Sequence, residues 1–153
     1  MPERIISFPV STVFTSTDVD LPALMETYRE GGNEYVCLKG VASTVVGSVV
    51  TFDEAGVSAL LAANAIGFVA IAQGIVDTTS KRGWYLVSGS CQAKVSASFA
   101  DNANCYATAT AGEIDDAVVA GDRVKNMIGR SAISGGLALV QVRYPFMDDA
   151  LAA

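Results

Sequence analysis

The sequence contains no histidine. That absence removes Ser-His-Asp and Cys-His catalysis, imidazole-based zinc sites, and the side chain that most often acts as a base near neutral pH. Neither G-x-x-x-x-G-K-[ST] nor G-x-G-x-x-G occurs, so phosphate-cradling loops have no support. Charge is also scarce. Asp, Glu, Lys and Arg make up 17% of the chain, against an ordinary share of about 25%, while apolar residues reach 51%. So little charge implies either a generous core or a surface that meets a partner. The net charge of −6, with the ten basic residues scattered, argues against nucleic acid, whose affinity for proteins comes mainly from clustered Lys and Arg. Cysteines are few and widely spaced at Cys37, Cys91 and Cys105. An odd, sparse set without C-x-x-C reads as reduced thiols of a protein made in a cytoplasm, not as a disulfide framework or a zinc site.

What is present fits one domain, since a chain of 153 residues buries about 70% of its unfolded surface. The opening MPERIISFPVSTVF does not read as a secretory signal, because an acid stands at Glu3 and Pro9 interrupts the apolar run. Ala55 to Val76 carries no charge and is long enough to cross a bilayer. Ser58, Asn64 and Gln73, with three glycines, favour a hydrophobic β-core segment there instead, so no membrane partner is expected.

Residues 1–34 differ from the remainder. They are rich in Ser and Thr, carry Pro9 and Pro22, and hold one helical hint, Leu21 to Arg29, closed by Gly31-Gly32. An extended N-terminal arm and linker is expected, followed by a β domain over 35–153. From Glu34 onward, short apolar runs alternate with Gly, Asp and Asn clusters. Candidate strands are 35–38, 44–52, 68–76, 83–88, 91–99, 104–110, 122–130 and 136–144. In 91–99 every second residue from Cys91 to Phe99 is apolar or small, the mark of a half-solvated strand. The same count over 138–146 puts Tyr144 and Phe146 on one face with Val140 and Val142. FVAIAQGIV at 68–76 is apolar on both faces and should be central. Helix is a real alternative only for SALLAANA at 58–65. The fold class expected is all-β, a small antiparallel β-barrel or sandwich with an extended N-terminal arm.

Candidate chemistry is thin. The acid pairs Asp53-Glu54, Asp115-Asp116 and Asp148-Asp149 offer carboxylates for acid/base work or calcium, but sit where turns and tails are expected and lack the spacing of a calcium loop. Cys91 lies on the apolar face of its strand, as a small buried hydrophobe would. Trp84 and Tyr85 are neighbours in a strand and must point to opposite sides, so one is expected in the core and the other at a surface or interface. No catalytic, cofactor or metal residues are assigned, and the chain is not expected to be an enzyme.

Four blocks carry a resemblance: GSVVTFDEAGV (47–57), GWYLVSG (83–89), FADNANCYATATAGEIDDAVVAGDRVK (99–125) and VRYPFMDD (142–149). Together they resemble the head decoration, or cement, proteins of tailed bacteriophages. The resemblance runs from about Gly47 to Asp149, is strongest in the 99–125 block, and leaves the N-terminal arm largely uncovered. It implies a virion protein on the outer capsid surface, a homo-oligomer with a trimer favoured over a dimer, bridging major capsid protein subunits and stiffening the shell. No cofactor is implied.

Contact residues do not map from that family, and are inferred from the sequence. Phe8, Val10 and Phe14 are apolar residues in a segment too thin to build its own core, and are expected to drape onto a neighbouring subunit or to pack on their own body. Tyr144 and Phe146 are expected near the other end of an interface. The rival expectation is a carbohydrate- or receptor-binding module displayed on the virion, with Trp84 or Tyr85 as its stacking face.

Overall fold

The structure, a computed structural model, describes residues 9–148. Eleven strands form one antiparallel sheet: β1 (Val13–Thr15), β2 (Thr27–Glu30), β3 (Asn33–Lys39), β4 (Val49–Phe52), β5 (Ser58–Leu60), β6 (Ile66–Ala72), β7 (Lys81–Lys94), β8 (Asn104–Ala107), β9 (Ile114–Asp115), β10 (Arg123–Gly129) and β11 (Leu137–Asp148). There is no helix among the described residues. The chain is therefore all-β, and of the two architectures expected the sheet is open and sandwich-like, not a closed barrel.

The long strand β7 organises everything else. β3 runs along one edge of it, from Arg82 to Ser88. On the other edge β1, β6 and β11 succeed one another, at 81–83, 85–86 and 88–94. The SGS at 88–90, expected to be a turn between two strands, lies inside this one strand instead. Gly89 takes φ +121°, a backbone conformation open mainly to glycine, where β7 leaves β3 and joins β11. The glycine bends the strand without ending it.

Both faces of the central strands are covered. Trp84, Leu86, Val69, Ile71 and Val140 belong to the larger core, while Tyr85, Val87, Ala70, Ala72 and Val50 belong to a second one on the opposite face. The alternation of Val69, Ala70, Ile71 and Ala72 is thus shared between two cores, as its two apolar faces require, while Phe68 before them is exposed. Trp84 and Tyr85 are both fully buried, one in each core. The expectation that one of them would reach the surface is corrected: a single-core picture has no place for the second ring, and this fold has two cores.

The segment before Glu34 is stitched to this body. β1 pairs with β7, β2 forms a hairpin with β3, and the Phe14 ring is buried in the larger core. The helical hint at 21–29 becomes a turn with Met25 at φ 69° followed by β2, and SALLAANA becomes β5 and a turn with Asn64 at φ 59°. Pairing and burial override modest helix propensity at both places.

Candidate interaction face

The last strand decides where the surface aromatics go. Between Met127↔Val142 and Lys125↔Phe146, one residue of β10, Asn126, stands against three of β11, 143–145. Asn126 and Tyr144 both take positive φ, 62° and 48°. This bulge reverses the alternation: Ala138, Val140 and Val142 are buried before it, Pro145 and Met147 after it. Phe146 therefore lies on the face opposite Val140 and Val142, a correction to the uninterrupted alternation expected over 138–146.

On that outer face Phe146 meets partners in register. Phe52 on β4 is directly opposite Phe68 on β6, Phe68 is opposite Phe146 on β11, and Phe146 is opposite Lys125 on β10. Directly opposed residues project from the same face, so the four side chains form one row across four strands. The Phe52 and Phe68 rings are 6.3 Å apart, and the Lys125 ammonium lies 5.8 Å from the centre of the Phe146 ring. Ile66, two residues from Phe68, extends the row sideways. Phe68 is 59% exposed and Ile66 is 73% exposed, although Phe52 packs on the second core behind them. A groove of about 450 Å³ runs beside the row, lined by Met25, Phe52, Asp53, Glu54, Ile66, Gly67 and Phe68. Contiguous exposed apolar patches mark interaction sites, ligand grooves or aggregation-prone surfaces, and scattered single apolar residues do not.

Charged side chains lie near the row. Asp53 and Glu54 rim the groove beside Phe52. The Asp53 Oδ1 accepts hydrogen bonds from the amides of Ala55 and Val57, at 3.0 and 2.9 Å, and so closes the turn after β4. At the far end Lys125 Nζ pairs with the Asp148 carboxylate at 2.5 Å.

Tyr144 stands in a different neighbourhood. It lines a polar cleft of about 400 Å³ with Arg29, Glu34, Asn33 and Arg143. The Glu34 carboxylate is buried and accepts from Arg29 Nε at 2.7 Å. Hydrogen bonding of the Tyr144 hydroxyl to that carboxylate, followed by burial and the negative charge of Glu34, raises the phenol above its ordinary pKa. The bulge thus sends Tyr144 and Phe146 to separate sites on the same strand.

The remaining sequence candidates are placed as follows. Phe14 is buried in the chain's own core, and Val10, half-buried, packs against that core. Phe8 lies outside the described residues, as does Asp149. Asp115 Oδ1 accepts from the Asp116 amide and Asp116 Oδ2 from the Ala100 amide, so this pair fastens turns. Among the described residues no group of three or more acids or thiols is arranged to hold a metal ion. The three cysteines are thiols, not disulfide partners. Burial pushes the Cys91 thiol up to about 11 and the Cys105 thiol up to about 12, the reverse of what a reactive thiolate needs.

Sequence reasoning had Phe146 but missed Phe52, Phe68 and Ile66. The signal existed: Ile66 and Phe68 alternate with Gly67 at the start of an apolar run, and Phe52 directly precedes a turn. Their registration could be known only from strand pairing. Comparison with known proteins adds no relative: no protein-family model matches the chain and no curated protein matches it.

Proposed function

We propose that this chain is a structural virion protein that binds the outer surface of an assembled phage capsid and bridges major capsid protein subunits. It does its work by docking and carries no catalytic centre. The observation behind this reading is the row of Phe52, Phe68 and Phe146, half-buried at its ends and exposed at Phe68 and the adjacent Ile66, on a body whose two cores are already filled. A protein with so little charge keeps apolar rings in water at a cost in solubility that an interface would offset. The sequence blocks resembling cement proteins, which include Phe52 and Phe146, name the surface that such a body would cover. Each contact can be weak, because repetition over a symmetric lattice makes later contacts effectively intramolecular.

The carbohydrate-binding alternative relies on Trp84 or Tyr85 as a stacking face, and both rings are fully buried. The deciding experiment is sedimentation of undecorated capsids with the purified protein. Binding that saturates at a copy number matching lattice symmetry supports the reading; no co-sedimentation, or binding without saturation, refutes it.

A further inference from the structure

A second cavity, of about 550 Å³, opens beside the cleft that Tyr144 lines, and Gly32, Ser88 and Arg143 border both. Two irregularities of the sheet build it. Gly89 bends β7 away from β3, and the bulge over 143–145 takes Arg143 out of the regular ladder between β10 and β11. Arg143 stays paired with Ser88 of β7, so its backbone is fixed while its side chain is exposed. Arg123 of β10 lines the same cavity, half-buried, and is steadied by Asn104, whose Oδ1 accepts from Nη2 at 3.3 Å.

The lining runs against the charge of the whole molecule. The chain has 16 acids and 10 bases, yet two arginines and none of the described acids line this cavity. The Arg143 guanidinium makes no hydrogen bond or ion pair among the described residues, and the side-chain amides of Asn126 and Gln141 are equally uncommitted. The adjoining cleft keeps its charges to itself. Arg29 there is held by Glu34 at 2.7 Å, Glu34 also takes the Tyr144 hydroxyl, and Glu30 is bonded to Tyr28. Arg123 spends one of its five N–H donors on Asn104, and Arg143 spends none. Guanidinium groups are weakly hydrated planar forks that match a two-oxygen anion, so a pair of them in an acid-free cavity is a receptor for an oxyanion. The net charge of −6 repels multiply charged anions, which favours one carrying a single charge.

We propose that this cavity binds a single carboxylate, held by Arg143 and Arg123, with Asn126 and Gln141 taking the neutral polar groups beside it. The site depends on neither the capsid reading nor the phenylalanine row. A carboxylate can be offered by a sugar acid or by an acidic side chain of a polypeptide, and the two sources share this chemistry.

The test is a titration followed by proton–nitrogen NMR spectra, with glucuronate and N-acetylglutamate α-amide as probes of equal charge. Both should shift the Gly89, Asn126 and Gln141 amides and the arginine Nε–H signals saturably, and the tighter probe identifies the source. Arg143→Gln and Arg123→Gln should each weaken binding by about tenfold or more, as loss of charge-assisted hydrogen bonds does. Arg143→Lys, which keeps the charge but not the fork, should also weaken it. Arg130→Gln, at an exposed arginine outside the cavity, should leave it unchanged. Thermal melts confirm that each variant is folded. Shifts that fail to saturate, or that sodium chloride reproduces at equal ionic strength, overturn the site. So do unaltered affinity in Arg143→Gln and an equal loss in Arg130→Gln. Glucose binding as tightly as glucuronate, or inorganic phosphate binding more tightly than both probes, overturns the assignment to a carboxylate.

Discussion

Gly89 and Asn33 approach so closely that a Cβ on the glycine would lie 1.9 Å from the Asn33 side-chain oxygen. That oxygen accepts a hydrogen bond from the Ser90 amide at 3.1 Å, and the Asn33 amide donates to the Ser90 carbonyl, so Asn33 clamps the bend in β7. Gly89→Ala would have to displace the clamp and hold alanine at φ +121°. The backbone conformation alone costs about 1–3 kcal/mol, and the clash adds to it. Gly31→Ala is the control: φ is +58° there and nothing lies within 4 Å, so only the backbone cost of about 1–2 kcal/mol applies. Urea unfolding should rank Gly89→Ala clearly below Gly31→Ala in stability. Equal losses would mean that Asn33 yields freely.

Tyr85 buries its ring completely in the second core, and its hydroxyl has no hydrogen-bond partner among the described residues. The hydroxyls of Ser58 and Thr44 lie nearby and pull its pKa down against the larger effect of burial, but their protons go to the carbonyls of Lys39 and Val41 and neither oxygen is in hydrogen-bond geometry with the Tyr85 hydroxyl. A buried polar group without a partner costs about 1–3 kcal/mol. Tyr85→Phe should therefore leave stability unchanged or raise it, whereas Tyr85→Ala should lose about 3–5 kcal/mol through the cavity it opens. Calorimetry distinguishes the two. A large loss in Tyr85→Phe would show that the hydroxyl is satisfied after all.

Alkaline pH should unfold the protein through two buried acids, Tyr85 and Cys105, and the half-buried Cys91. Burial pushes Tyr85 up to about 12 from 10.0, Cys105 up to about 12 from 9.0, and Cys91 up to about 11 from 9.0. Each group is neutral when protonated, so the folded state holds its proton to higher pH than the unfolded chain does. Above about pH 9 the unfolded chain binds fewer protons, and stability falls as pH rises. The contribution is fully present below about pH 9 and is lost between roughly 9 and 12. Cys105→Val removes one titrating group and should flatten that slope. Urea midpoints taken from about pH 8 to 11 under reducing conditions test this, and a profile that stays flat across the range refutes it.

How much of this was legible in the sequence follows from the range of the interactions. The all-β class was, because alternation and turn residues act locally and Gly, Asp and Asn clusters punctuate the chain regularly. The central place of the strand expected over 68–76 was legible only for 69–72, where both faces are buried; the strand ends at Ala72, and Phe68 and Ile75 are exposed. The continuity of β7 was not: Ser88-Gly89-Ser90 carries turn chemistry, and only the change of partner from β3 to β11 makes it a bend. Phe146 was picked out by type but placed on the wrong face, because the bulge opposite Asn126 adds residues that alternation cannot count. The row it joins depends on the registers of β4, β6 and β11, which are set by contacts far apart in sequence.

Phe14 tests where the N-terminal segment belongs. It sits in the three-residue strand β1 opposite Arg82 of β7, with its ring 3% exposed in the larger core. If that segment were only draped on the body, Phe14→Ala would release it and leave the remaining fold intact. Stability of the body would hardly change, and the denaturant slope would fall with the area no longer buried. Because the ring shares a core with Trp84 and Leu86, we expect a cooperative loss of about 3–5 kcal/mol with an unchanged slope. Trp84 is the chain's only tryptophan and reports on that core directly. Its fluorescence transition in Phe14→Ala should move to lower urea without broadening, and a transition that stays in place would show that β1 is dispensable to the fold.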